Sequence, residues 1–203
     1  TLVHAVAEEH PHGTPEELTA ALEARIEELG YNLDTWAGRV ADRHARDIVN
    51  NLASYVVSVP GDVTVEQTVS AEVEGVTIRG RMDRLEQVDE GVRVTDLKTG
   101  KSGYTKASVA ENPQLAAYQM ALLASGEKVA GARITLLGGS KPQIYDQPAL
   151  QGEELERWRE SVREVALSAC GPYFEARPSV EACRYCSFDR LCPARERGRK
   201  VVE

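Results

Sequence analysis

Gly80-Arg81-Met82-Asp83-Arg84, followed after a short turn by Thr95-Asp96-Leu97-Lys98-Thr99-Gly100, is the stretch on which the reading of the fold turns. Ile78 to Val88 and Val92 to Lys98 are rich in β-branched and alternating residues. Asp89-Glu90-Gly91 between them is turn chemistry, so the segment predicts an antiparallel hairpin. With Val88 paired to Val92, Arg84 faces Asp96 and Asp83 sits beside Leu97. Two carboxylates distant in sequence become neighbours. Asp96 and Lys98 lie two apart on one strand, so both side chains leave the same face, about 7 Å apart at their bases. Paired carboxylates repel unless a cation joins them, and hard oxygen ligands of this kind suit Mg²⁺ or Mn²⁺. A metal held there polarises a phosphoryl oxygen and lowers the pKa of a water, with Lys98 placed to orient that water or to stabilise transition-state charge. A lone Asp-x-Lys is ordinarily a solvated strand face; the preceding Gly-x-x-Asp-Arg turns it into a candidate phosphodiesterase site. Gly100-Lys101-Ser102 does not complete a phosphate-binding loop, because Thr95 stands where the leading glycine is required.

Outward from the hairpin the pattern alternates helices and strands. A short helix carries His4, and a second runs from Pro15 to Leu29, with Thr14 and Glu17 as a capping box, Pro15 in the first helical position and Gly30 as the stop. A longer helical pattern spans Leu33 to Val57 and carries Trp36, Val40, Ile48, Leu52 and Tyr55. Strands are expected at Val63 to Val69 and Val73 to Met82. Asn112 and Pro113 start a helix after the hairpin. Gly131 to Leu137 and Gln143 to Tyr145 read as a later hairpin, and Glu153 to Ala176 as a helix with Trp158, Val162, Val165, Ala166 and Ala169 on its apolar stripe. The expected class is α/β, a mixed sheet flanked by helices.

Gly-x-x-Asp-Arg followed by Asp-x-Lys-Thr-Gly resembles the signature of the RecB-like nucleases, within the restriction-endonuclease-like PD-(D/E)XK superfamily. Thr1-Leu2-Val3-His4-Ala5-Val6 is similar to that family's first motif, and Asn112-Pro113-Gln114-Leu115-Ala116-Ala117-Tyr118 to its Gln-x-x-x-Tyr motif. Cys183-x2-Cys186-x5-Cys192-Pro193 looks like the cysteine run that holds a 4Fe-4S cluster in AddB-type members and CRISPR-associated exonucleases. The resemblance implies that His4, Asp83, Asp96 and the carbonyl of Leu97 hold Mg²⁺ or Mn²⁺ and that Lys98 is the catalytic lysine. Gln114 and Tyr118 would line the DNA path or support the lysine, although residues four apart on a helix can also be a simple interfacial pair. Glu66 and Glu8 are weaker neighbours of the site. The implied protein is a metal-dependent DNA nuclease of a bacterial, cytoplasmic helicase-nuclease of the AddAB, AdnAB or RecBCD type, acting in double-strand-break resection and recombinational repair. Its partners would be DNA, a helicase motor delivering single strand, and a partner subunit. Two alternatives stand beside it: a catalytically silent nuclease-like module that guides DNA, and a stand-alone iron-sulfur exonuclease of the CRISPR-associated type.

Three of the four cysteines lie within ten residues, and the chain has no strong secretory or membrane segment, so metal ligation is favoured over disulfides. Zinc is the rival to the iron-sulfur cluster. In the resembling family the fourth ligand lies upstream of the histidine motif, and this chain begins three residues before His4. The expectation is therefore a single nuclease domain, 1–203, cut from the C-terminal part of a longer chain, with Cys170 a substitute fourth ligand or a small buried thiol.

At 203 residues and 42% hydrophobic composition the chain can bury one sizeable core. Its net charge of −8 opposes the basic footprint of a protein that grips duplex DNA unaided. The charge points instead to affinity supplied by a motor or partner that feeds a single strand to the site. Arg195-Glu196-Arg197-Gly198-Arg199-Lys200, with Arg184 and Arg190, are local basic patches of the kind that is usually solvated surface.

Overall fold

The computed structural model describes residues 2–172 and 176–194. Among them, strands β1 (Val63–Val73), β2 (Val76–Val88), β3 (Gly91–Lys98), β4 (Val129–Leu136) and β5 (Gln143–Pro148) form one sheet in the order β1-β2-β3-β4-β5. All neighbours pair antiparallel except β3 and β4, which are parallel and therefore need the long crossover between them. The helices are α1 (Leu2–Glu9), α2 (Pro15–Glu28), α3 (Trp36–Val57), α4 (Lys106–Ala110), α5 (Pro113–Ala124), α6 (Gly152–Cys170) and α7 (Val180–Cys183). The class is the expected one, a mixed sheet flanked by helices. None of these helices is long and apolar enough to cross a membrane.

Two helical layers cover the sheet. Val6, Leu18, Leu22, Leu52 and Val56 of α1, α2 and α3 pack with Leu97 and Leu137. Leu115, Tyr118, Ala121 and Leu122 of α5 pack with Met82, Val94, Ile134 and Leu136. Local chemistry sets the helix starts. Thr14 and Glu17 form the expected capping box, Asn112 caps Leu115 with Pro113 behind it, and Gly30 follows α2 at φ +63°. Helix α3 begins at Trp36 rather than Leu33, because the Thr35 hydroxyl accepts the Gly38 N–H as its cap.

Three expectations are corrected. The central hairpin is shifted by one residue: Val88 pairs with Gly91 and Arg84 with Thr95, not Asp96. Gly91, at φ +138°, joins the strand, leaving a two-residue turn of Asp89 and Glu90. A Cβ there would lie 2.0 Å from the Lys128 carbonyl, so this close pairing depends on glycine. The β1–β2 turn falls at Glu74-Gly75, with Val73 on β1. Helix α6 ends at Cys170, before Gly171 and Pro172, and residues 173–175 of the expected helix lie outside the described residues.

The chain divides into two compact units, Thr1–Val162 and Arg163–Glu203. The first contains the sheet and α1 to α5, with Trp158 packed among Val73, Ala116, Met120 and Leu150. In the second, Val165 is 68% exposed, so the apolar stripe read from sequence is buried only at its beginning. Cys170 is exposed, not the small buried thiol expected. The basic tail 195–200 lies outside the described residues.

Candidate active site

Two features aim side chains at the open end of the β2–β3 hairpin. Helix α1 buries Val3, Val6 and Ala7 against the core, which turns His4 toward the sheet. Along β2, Gly80 and Met82 face α5, whereas Arg84 and Glu86 lie with Tyr55 of α3, so the pleat reverses at Asp83. The β1–β2 ladder skips the pair Glu66–Asp83, and Glu66 takes a left-handed φ of +50°. Such local irregularity re-aims a side chain that regular alternation would commit to one face.

The residues meet as follows. His4 Nε2 lies 3.0 Å from the Leu97 carbonyl oxygen and 3.6 Å from Asp83 Oδ2. The same Asp83 oxygen accepts the Leu97 N–H at 2.8 Å. Asp96 is 5% exposed. Lys98 Nζ forms an ion pair with its buried Oδ2 at 2.7 Å.

The electrostatics separate the two carboxylates. Burial would push Asp83 up, but the neighbouring His4 imidazole and the hydrogen bond from the Leu97 N–H outweigh it and hold the carboxyl below its ordinary value. Burial dominates at Asp96 and pushes it up, against the pull of Lys98. His4 is raised, chiefly by the Asp83 carboxylate beside it. At Lys98 burial would lower the ammonium pKa, but Asp96 more than offsets it.

Residues 1–193 match the family model described as the PD-(D/E)XK nuclease superfamily. The chain belongs to that superfamily. Among solved structures it is similar to SSO0001, at 17% identity over 95% of this chain and 94% of that one, with a TM-score of 0.44. It is also similar to a protein from Eubacterium rectale named a candidate exonuclease, at 13% identity over 92% of this chain and 80% of that one, with a TM-score of 0.46. No curated protein matches it.

In this PD-(D/E)XK domain Gln114 and Tyr118 support the strand that carries Asp83. The Tyr118 hydroxyl donates to the Arg81 carbonyl at 2.8 Å, and the Gln114 amide donates to that hydroxyl at 3.2 Å. A Cβ at Gly80 would meet the Tyr118 ring at 2.5 Å, which is the reason for glycine in Gly-x-x-Asp-Arg. Glu66 and Glu8 both pair with Arg81, so the two weaker candidates are joined by a residue the sequence did not single out. A buried polar group was also missed. Arg84 and Glu86 are fully buried, with Glu86 accepting from Tyr55 and Arg93. Charged residues on an alternating strand read as solvent-facing, and no sequence signal contradicts that.

Among the described residues, no three His, Cys, Asp or Glu side chains stand together so as to hold a metal ion. Cys183, Cys186 and Cys192 form no disulfide, and the thiols are not gathered into the expected cluster; the residues as placed do not fit a 4Fe-4S unit or zinc. At the hairpin the donors are of the right kind for Mg²⁺ or Mn²⁺: one imidazole, two carboxylates and a backbone carbonyl. Asp96 Oδ2 is buried beside the Lys98 ammonium at 2.7 Å, a positive neighbour of the kind a divalent ion would also supply. His4 and Asp83 meanwhile pair with one another and bond to Leu97, and Asp96 leans on Lys98.

Proposed function

We propose that this domain is a metal-dependent deoxyribonuclease that hydrolyses phosphodiester bonds, working within a bacterial helicase-nuclease in the resection of double-strand breaks. The observation that carries the reading is the buried Asp96 carboxylate, ion-paired with Lys98, beside the His4–Asp83–Leu97 group. His4, Asp83, Asp96 and the Leu97 carbonyl would hold the divalent metal. When bound, the ion supplies Lewis-acid neutralisation of the scissile phosphate and a water of lowered pKa. Lys98 orients the attacking water and stabilises charge on the phosphoryl oxygens in an in-line displacement. Asp83, kept ionised by His4 and the Leu97 N–H, anchors the site, and Tyr118 with Gln114 holds the strand beneath it. No covalent enzyme intermediate is required.

The acidic balance of the chain favours delivery of a single strand by a motor and partner subunit over unaided capture of duplex. A role for Cys183, Cys186 and Cys192 in an iron-sulfur cluster of the whole protein is supported by their spacing alone. End-labelled single-stranded DNA incubated with Mg²⁺, with Mn²⁺ and with chelator, beside Asp96→Ala, tests the proposal. Cleavage that needs metal and is lost in the variant is expected. Wild-type cleavage by the variant would overturn the site, and no cleavage by the wild type under any condition would favour the silent DNA-guiding module.

A further inference from the structure

The site leaves the first half of α3 unused. The fully buried residues of that helix begin at Ile48; over Trp36 to Asp47, about 18 Å of helix at 1.5 Å per residue, Ala45 packs against the core and the outer face is left open. This stretch is not merely polar: Trp36 is 76% exposed and Val40 45%. An indole left in water on a helix that ends deep in the core is an unusual use of the largest apolar side chain.

Trp36, Val40, Arg43, His44 and Asp47 line a cleft of about 510 Å³ together with Lys101. Lys101 follows Lys98 by three residues, so the two backbones are separated by at most roughly 11 Å, a few steps of a stacked strand at ~3.4 Å each. Of the cleft's lining, Lys101 therefore lies near the hairpin site. Some cations among the described residues are tied to carboxylates and others, Arg79, Lys106, Lys128 and Lys141 among them, are not; the cleft holds two of the second kind. Arg25, Arg46, Arg81, Arg93, Arg133 and Arg157 each pair with a carboxylate. Arg43 and Lys101 make no ion pair and no side-chain hydrogen bond among the described residues, in a chain of net charge −8 that has carboxylates to spare. Asp47 is the one acidic group of the cleft lining.

An exposed aromatic face flanked by unpaired cations, one of them near a phosphodiester site, has the chemistry of a single-strand platform. A base stacks on the ring while the cations follow the phosphates. We infer that this cleft binds the single-stranded nucleic acid flanking the scissile phosphate, with a base on Trp36 and phosphates against Arg43 and Lys101; the inference rests on the nuclease function proposed above. A duplex offers no free base face to Trp36, so the occupant is single-stranded.

Oligothymidylate binding in chelator, which blocks cleavage, tests this directly. The protein has two tryptophans, and Trp158 is only 9% exposed, so quenching on titration reports Trp36. Trp36→Ala is expected to weaken binding about tenfold, followed by anisotropy of a labelled oligonucleotide, whereas Trp36→Phe retains most of it. Arg43→Gln with Lys101→Gln is expected to flatten the dependence of log K on log salt by about 1.4, the value for two single-strand phosphate contacts. In Mg²⁺ these variants raise KM for cleavage and leave kcat near wild type. All the positions are exposed or half-buried, and unchanged melting curves confirm folding. Absence of quenching in the wild type, or binding and salt slope unaltered in the variants, overturns the inference. If the wild type cuts while the variants bind and cut as well as it does, the cleft fails and the nuclease stands. If the wild type never cuts but the variants lose binding, the nuclease fails and the cleft stands.

Discussion

Glu86 and Asp96 are both buried carboxylates, on adjacent strands of one hairpin, and they are treated in opposite ways. Glu86 is saturated: the Tyr55 hydroxyl donates to one oxygen at 2.6 Å, and Arg93 donates to the other through two nitrogens at 3.2 and 3.0 Å. Asp96 has one cation near it, the Lys98 ammonium at 2.7 Å. Its compensation is one part-exposed lysine, against the three side chains that donate to Glu86. The closed end of the hairpin thus ties its buried carboxylate to three side chains, although Arg84 Nη1 there has no hydrogen bond, and the open end holds its carboxylate with one lysine.

Removing the saturated carboxylate should hurt most. Glu86→Ala leaves Arg93, Arg84 and Tyr55 without their acceptor and is expected to cost about 3–5 kcal/mol in urea unfolding. A loss below about 1 kcal/mol would dissolve the contrast. Lys98→Ala at the open end should do the reverse. Cleavage is expected to fall by about 10²–10³-fold, with little change in the urea midpoint; a variant that unfolds early and cuts normally would make Lys98 a structural partner of Asp96. A smaller effect is expected from Tyr118→Phe, which removes the hydrogen bond to the Arg81 carbonyl. About 1 kcal/mol of stability and a modest part of the rate should be lost together, since the strand that loosens carries Asp83.

The smallest effect carries the most telling sign. Asp96 is raised by burial from an ordinary value of 3.8. Its protonation-linked stabilisation is therefore complete below that value and is lost as pH rises through the higher folded pKa. Above that folded pKa the native protein bears a buried charge that an amide lacks. Asp96→Asn is expected to match or exceed the native stability there, by less than about 1 kcal/mol, with the difference shrinking as pH falls toward 4. Thermal melts across that range check it, and an advantage that grows on acidification would reverse the assigned role.

Much of the frame was legible along the chain because its signals are local. Thr14 with Glu17, and Asn112 with Pro113, each satisfy their own helix N-terminus within four residues, and no distant partner can alter that. The hairpin's existence was legible for the same reason. Its register was not: Gly91 looked like a turn residue, and its place in β3 depends on the Lys128 carbonyl closing in from the crossover. The pleat reversal at Asp83 was equally hidden, since it involves the left-handed Glu66 on another strand. Burial of Arg84 and Glu86 followed from α3 covering that face.

By itself, the sequence determined the residue types of the site and the order of the elements, because capping, turn chemistry and alternation act over a few residues. Only the tertiary structure decided which carboxylate is held by three side chains and which by a single lysine. It also decided that His4, 93 residues from Leu97, stands 3.0 Å from its carbonyl. Hydrogen-bond satisfaction and desolvation depend on every element packed around an atom, and no local stretch of chain contains that information.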